Sequence, residues 1–237
     1  MGMEATEAYR ATRDRITALL RGVDPAVADR RVPACPRWTV REVAAHLAGV
    51  CDDMLEGRLD GVATDGWTAA QVEARVDRSL DEILDEWAEI GPRVEERFGD
   101  GGVHPQMLFD EVTHEHDVRG ALDRPGAREE AAVTIALSFV GRAFPGALRG
   151  AGAPPLTFRF GGEELVLAGD EHGAPAPAPA TLTATAFDLV RSCSGRRTLD
   201  QIAALDWGGA DPAPWLPAFT WGPFTVPAAP IETPDAS

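Results

Sequence analysis

Apolar residues recur at helical spacing through about the first 150 residues of the chain. The clearest start is at Thr39 and Glu42, which form the pattern of a capping box and predict a helix from Val40. His46 stands inside the apolar stripe of that helix and is therefore predicted to face the core. Similar spacing predicts further helices at about residues 3–20, 68–98, 105–122 and 127–148. A capping box of Thr68 and Gln71 is predicted to open the second of them, and Pro92 is predicted to kink or divide it.

The pattern changes after Gly150. Alternating runs at residues 156–160 and 164–167 flank two glycines, which predicts a β-hairpin. A third strand is predicted at residues 181–184, and Thr185 is placed to cap a short helix that reaches Cys193. The chain is thus predicted to be an α+β protein with an up-and-down helical bundle over residues 1–150 and a smaller α+β domain over residues 151–237.

Charge and cysteine content limit the possible partners. The net charge is −16 and all 22 basic residues are arginines without a basic cluster, so nucleic acid is not an expected partner. Three widely spaced cysteines, without a secretory signal pattern, predict a reduced, cytoplasmic protein. No uncharged apolar run approaches the roughly 20 residues that span a bilayer, so no membrane is expected. The oligomeric state stays open.

Asp110 and His114 are four residues apart on one predicted helix and share a face of it. With His46 from another helix, they form a candidate set of three ligands for a divalent metal, and zinc is the expected ion for imidazole and carboxylate ligands. Asp117 follows on the same stripe and can orient a ligand histidine or form a salt bridge. Glu111 competes with Asp110 as the carboxylate, and ordinary core packing without a metal also fits the pattern.

Three arginines, Arg191, Arg196 and Arg197, surround the predicted end of the short helix. Guanidinium groups bind carboxylates and phosphates through two parallel hydrogen bonds, so these residues are candidates for holding an anionic ligand. Arginines at this position also serve the helix dipole or solubility. Cys193 is a weaker candidate for a nucleophile because no histidine lies near it in the sequence.

Residues 36–47, Pro-Arg-Trp-Thr-Val-Arg-Glu-Val-Ala-Ala-His-Leu, resemble the second-helix signature of mycothiol-dependent maleylpyruvate isomerase-like proteins, within the wider DinB-like metal-binding bundles. Residues 114–122 resemble the second metal motif of that family, and residues 186–191 and 194–197 resemble its carboxy-terminal domain. The family holds its metal with one histidine of the second helix, and with an acidic residue and a histidine four apart on a later helix. These positions match His46, Asp110 and His114, although the founding isomerase carries Glu at the position of Asp110.

The resemblance implies an enzyme in which mycothiol coordinates a divalent metal, by expectation zinc, and the resulting thiolate attacks a small electrophilic substrate. Addition, bond rotation and expulsion would give a cis-trans isomerase, whereas retention of the adduct would give an S-transferase. Under this hypothesis Arg191 binds the cofactor, Arg196 and Arg197 are catalytic, and the cleft lies between the two domains. The alternatives are a non-catalytic small-molecule or metal-binding protein, and a thiol-independent metal-dependent hydrolase.

Overall fold

The protein is described by a computed structural model that covers residues 2–167 and 179–232, without the side chains at positions 2, 3 and 100. The chain divides into two compact units, Met1–Ala127 and Arg128–Ser237. The first unit is mostly helical, and the second contains both helices and a sheet. The predicted α+β class is therefore confirmed.

The first unit is built around four long helices. Its elements, within the described residues, are α1 (Gly2–Leu20), α2 (Pro25–Ala28), β1 (Arg31–Val32), β2 (Cys35–Thr39), α3 (Val40–Glu56), α4 (Asp65–Glu73), α5 (Leu80–Phe98) and α6 (Pro105–Ala121). Helix α3 packs against α4, α5 and α6, and α1 packs against α5 and α6. Strands β1 and β2 form an antiparallel hairpin just before α3, and the sequence pattern did not predict it.

The predicted start of α3 is confirmed. The Thr39 hydroxyl accepts the backbone N–H of Glu42, and the Glu42 carboxylate accepts the backbone N–H of Thr39. Helix α6 likewise begins at Pro105, as predicted. Its residues from Met107 to Val118 are almost all buried, including acids and histidines, so these polar groups need partners inside the unit.

The predicted helix over about 68–98 is divided, but the break is not at Pro92. Helix α4 begins one turn earlier, with Thr64 rather than Thr68 at its N-cap, and it ends at Glu73. A new helix, α5, begins after Ser79, whose side chain forms a capping box with Glu82. Pro92 lies inside α5 and does not end it. The capping residues therefore decide where the chain breaks, whereas the proline removes only one backbone donor.

The second unit surrounds a three-stranded sheet. Its elements, among the described residues, are α7 (Ala131–Gly150), β3 (Leu156–Phe160), β4 (Glu163–Leu167), β5 (Ala180–Thr183), α8 (Ala186–Cys193) and α9 (Leu199–Ala203). Strand β3 lies in the centre, antiparallel to β4 and parallel to β5. The predicted hairpin is confirmed, and Gly161 and Gly162 turn the chain with φ values of 55° and 86°.

Helix α7 belongs to the second unit, although the sequence pattern assigns it to the bundle. Its Phe144 packs against Phe158 of β3 and against Phe219, with ring centroids 5.8 and 5.1 Å apart. The division near residue 127 therefore comes before the boundary expected near residue 150. An apolar stripe shows that a helix faces a core, but it does not show which core.

Helix α7 is also the one helix, among the residues described, that is long and apolar enough to cross a bilayer by length and composition. A single helix of this kind is weak evidence, because the core helix of a globular unit passes the same test. Here the buried side of α7 consists of Ala132, Val133, Ala136, Leu137, Val140, Phe144 and Leu148. Its exposed positions include Thr134, Ser138, Arg142 and Arg149. The helix thus has the one-sided pattern of a core helix in its unit.

Candidate metal centre

Helices α3 and α6 bring the ligand atoms of His46, Asp110 and His114 within 4.8 Å of one another. The Nε2 atom of His46 lies 3.2 Å from Asp110 Oδ2, and the Nε2 atom of His114 lies 3.6 Å from Asp110 Oδ1. Both imidazoles are buried, whereas the Asp110 side chain is 33% exposed. We call these residues the three-ligand set. Solvent reaches it at the carboxylate.

A chain of hydrogen bonds orients the ring of His46. Its Nδ1 atom lies 2.7 Å from Gln71 Oε1, and Gln71 Nε2 donates to Asp53 Oδ2 at 2.7 Å. Because the amide nitrogen is turned to Asp53, the amide oxygen faces the imidazole and can accept only from a protonated Nδ1. In the neutral ring the Nε2 lone pair then points at the Asp110 carboxylate, so two acceptors face each other. A proton or a metal cation between them resolves this arrangement.

The pKa of His46 reflects the same geometry. Burial disfavours the imidazolium, but the Asp110 charge and hydrogen bond, with smaller effects of Gln71 and Asp53, outweigh burial and raise the pKa above its ordinary value. Without a metal, the protein groups therefore favour a proton at the point where two ligand atoms meet. A metal would have to displace that proton, so its binding weakens as the pH falls.

Gln71 reaches His46 because residue 49 is a glycine. A Cβ atom at Gly49 would lie 2.4 Å from Gln71 Cβ and 2.7 Å from Gln71 Cγ. Glycine within a helix costs about 0.5–1 kcal/mol relative to alanine, so close packing is a reason for it here. The sequence pattern missed the role of Gln71 and treated it as the partner of Thr68 in a capping box. The glycine in the interior of α3, three residues after His46, was a signal for this close approach.

His114 is held from the opposite side. Its Nδ1 atom lies 3.0 Å from Asp117 Oδ2, a distance suited to an ion pair, but the contact is not aligned as a hydrogen bond. The thiol of Cys35 is 4.0 Å from the same carboxylate oxygen. Asp117 is one helical turn after His114 and has the position of a residue that orients a ligand histidine.

Trp38 lies beside both imidazoles. Its ring centroid is 4.9 Å from that of His46 and 5.8 Å from that of His114. Trp38 and Cys35 both come from β2, so the hairpin that the sequence pattern missed supplies one side of this site. The indole therefore packs beside both imidazoles.

Glu111 does not join the imidazoles. The residue is buried, and neither of its carboxylate oxygens has a hydrogen-bond partner in the described part of the chain. Burial, more than any nearby charge, raises its pKa well above the ordinary value and so favours the neutral carboxyl group. Of the two acids that the sequence left open, the structure therefore brings Asp110 to the two rings.

The donor atoms suit a divalent cation. Two imidazole nitrogens and a carboxylate oxygen are a usual set for zinc in a site that leaves a coordination position open. Gln71 orients the His46 ring, and Asp117 lies beside the outer nitrogen of His114. The two facing acceptors at His46 and Asp110 need a positive charge between them. The residues present thus fit a metal, whereas the choice of zinc over other divalent ions stays a prediction.

The arginines near α8 lie in the second unit and are mostly paired. Arg191 and Arg197 are fully or almost fully buried and both form ion pairs with Glu232. Arg196 is half-buried and donates to the backbone oxygen of Ser194. The catalytic role of Arg196 and Arg197 and the cofactor-binding role of Arg191 stay predictions.

The fold and the site define a two-unit α+β protein with a candidate metal centre in a helical bundle. Residues 9–107 match the family model described as the mycothiol maleylpyruvate isomerase N-terminal domain. The family resemblance seen in the sequence is thereby confirmed for this segment. The matched segment includes His46 and ends just before Asp110 and His114.

Two solved structures share this fold. The crystal structure of the mycothiol-dependent maleylpyruvate isomerase is 13% identical, with a TM-score of 0.50, and the match covers 82% of this chain and 89% of that chain. A histidine-to-alanine mutant of that isomerase is 12% identical, also with a TM-score of 0.50, and the match covers 81% and 88%. At such low identity the likeness establishes the fold. We found no match among curated proteins.

Proposed function

We propose that this protein is a mycothiol-dependent enzyme of the maleylpyruvate isomerase type, with a divalent metal held by the three-ligand set. The observation that carries the proposal is the meeting of both Nε2 atoms and the Asp110 carboxylate, with the outer nitrogen of each ring facing Gln71 or Asp117. The family match and the shared fold support it.

A divalent metal at this site would lower the pKa of a coordinated thiol and so supply a thiolate near neutral pH. The chain's own residues would bind the metal and orient its ligands. Gln71 orients the imidazole of His46, and Asp117 lies beside that of His114. Asp110 supplies the negative charge, and Trp38 packs beside both rings. Cys51 and Cys193 are buried, whereas the half-buried Cys35 thiol lies beside Asp117, so we propose that the reacting thiol is that of mycothiol. Burial raises the pKa of Cys51 to about 11 and that of Cys193 well above its ordinary value.

The proposed substrate is a small electrophile with a conjugated double bond. Thiolate addition to it, rotation about the resulting single bond and expulsion of the thiol would return the trans isomer, with no net change in atoms. If expulsion does not occur, the product is a thioether and the protein is an S-transferase. We place the isomerase first because both similar structures are those of an isomerase.

The test is turnover by metal-loaded protein with mycothiol and maleylpyruvate. We expect isomer formation that requires both the metal and the thiol, and that is lost in His46→Ala. His104→Ser, which changes the exposed histidine at the start of α6 and keeps a capping side chain, should retain activity. Hydrolysis without thiol would identify a hydrolase, and binding without any product would identify a binding protein. Either result contradicts the proposal.

A further inference from the structure

Two buried arginines of the second unit share one carboxylate. Arg191 donates from Nε to Glu232 Oε1 at 2.6 Å and from Nη2 to Glu232 Oε2 at 3.1 Å, and Arg197 donates to the same Oε1 atom. The arginine side chains are 0% and 2% exposed, whereas the Glu232 side chain is 17% exposed. We call Arg191 and Arg197 the arginine pair. Its geometry is that of two-point carboxylate recognition.

The arginine pair is positioned by its own neighbourhood. Arg197 Nη2 donates to Asp188 Oδ1 at 2.9 Å, and Asp188 Oδ2 accepts from Thr185 Oγ1 at 2.9 Å. The guanidinium of Arg197 also lies over the ring of Phe187, 5.6 Å from its centroid. These contacts come from α8 and the turns beside it, not from the segment that carries Glu232. The carboxylate is therefore received by groups that other residues already orient.

Glu232 sits on a segment with little apolar anchoring. Among the described residues 226–232, none is buried. The Glu232 carbonyl oxygen accepts from Gln201 Nε2 at 3.1 Å, and the side chain binds the arginine pair. Because no side chain of the segment is fully buried, the ion pairs contribute a large share of what holds it in place. Another carboxylate at the arginine pair would restore them.

We propose that the arginine pair is a carboxylate-binding site, that Glu232 occupies it as an internal ligand, and that a small free carboxylate displaces Glu232. The proposal does not depend on the metal or on thiol chemistry. A tethered group acts at an effective concentration on the order of millimolar, so free ligand is expected to compete only well above that range.

The first experiment removes the internal ligand. The Glu232→Ala variant is melted in sodium acetate and in sodium chloride of equal ionic strength, beside the wild-type protein. We expect acetate to raise the melting temperature of the variant by about 2–4 °C over chloride, and to leave the wild-type protein unchanged. The matched control is Glu164→Ala, which breaks the exposed ion pair with Arg159 in the same unit. Equal acetate responses in the two variants would overturn the carboxylate site.

The second experiment uses the wild-type chain and does not depend on how well the variant folds. Hydrogen exchange of the backbone amides in residues 226–232 is followed by mass spectrometry at rising succinate concentration, against chloride of equal ionic strength. We expect succinate to speed exchange in this segment several-fold and to leave α9 unchanged. Exchange that stays constant at succinate concentrations far above millimolar would overturn displacement of Glu232.

Discussion

Each unit buries a cluster of titratable groups, and the two clusters obtain their counter-charge differently. In the first unit, ligand atoms of the three-ligand set face one another, with His46 Nε2 3.2 Å from the Asp110 carboxylate. In the second unit, the arginine pair faces the carboxylates of Glu232 and Asp188. The first cluster therefore needs a proton or cation at its centre, whereas the second is closed by acids of its own chain.

The difference shows how to distinguish a site from a structural network. Burying an unpaired charge has a high free-energy cost, so the charges of a stable buried cluster must be balanced by partners. Where the chain itself supplies the pairing, the cluster is complete as folded. Where lone pairs point at one another, an added ion completes it. Exchange is possible in the second unit because Glu232 comes from a segment with no buried residues between 226 and 232, within the described part of the unit.

The largest effect is expected from removing a member of the three-ligand set. His46→Ala or His114→Ala should lower the affinity for zinc by at least about 100-fold, beyond the loss expected for an outer partner of a ligand. Titration of metal-free protein with zinc, checked by elemental analysis after dialysis, measures this. His104→Ser should bind as the wild-type protein does. Equal occupancy in all variants would mean that the metal is not held here.

A smaller effect is expected from removing the carboxylate that binds the arginine pair, measured in buffer without free carboxylates. Glu232→Ala should lower the free energy of unfolding by about 2–3 kcal/mol, because it leaves buried guanidinium charge poorly compensated. Glu164→Ala removes an exposed pair and should cost only about 0–1 kcal/mol. Urea unfolding of the two variants makes the comparison. Equal losses would show that burial of the arginine pair has no energetic consequence.

An effect of intermediate size is expected from the packing between Gly49 and Gln71, because a change there disturbs the first cluster without replacing a ligand. Gly49→Ala should push Gln71 away from His46 and lower zinc affinity by about 10-fold, the usual size of an outer-partner effect. Gly66→Ala in α4 is the matched control, because a Cβ atom there meets nothing within 4 Å. Gln71→Leu should reproduce the loss. Unchanged affinity in Gly49→Ala and Gln71→Leu would remove Gln71 from the site.

The smallest effect concerns Glu111, beside the first cluster. Its pKa is raised by burial, so between the ordinary and the raised value the folded protein binds more protons than the unfolded chain. Stability should therefore fall as the pH rises through that window. Glu111→Gln should flatten this slope, because an amide does not titrate. Urea unfolding between about pH 5 and pH 8 tests it, with the exposed Glu89→Gln as control. Parallel slopes for Glu111→Gln and wild type would contradict the prediction.

Local patterns in the sequence predicted much of the fold. The capping residues Thr39 and Glu42 located the start of α3, Pro105 located α6, and two glycines located the hairpin between β3 and β4. These features depend on neighbours in sequence, so the residues themselves carry the information. The break between α4 and α5 was missed although Ser79 and Glu82 form a capping box, because the apolar spacing continues across it.

Features that depend on distant parts of the chain were predicted less well. The spacing of Asp110 and His114 placed both on one face of α6, but the choice of Asp110 over Glu111 required the position of His46 in space. The contact of Gln71 with His46, 25 residues apart, has no local signal beyond the glycine at position 49. The assignment of α7 to the second unit also depends on its distant partner Phe219.

Helix α6 carries Asp110, His114 and Asp117 on one stripe. The relative positions of two candidate ligands and of the acid beside His114 therefore depend on one helical register. Inserting or deleting one residue between them would rotate the later side chains by about 100° and separate the three. Length variation should therefore be tolerated in the turns before Pro105 and after Ala121 and selected against inside α6. That constraint would outlast even extensive sequence divergence.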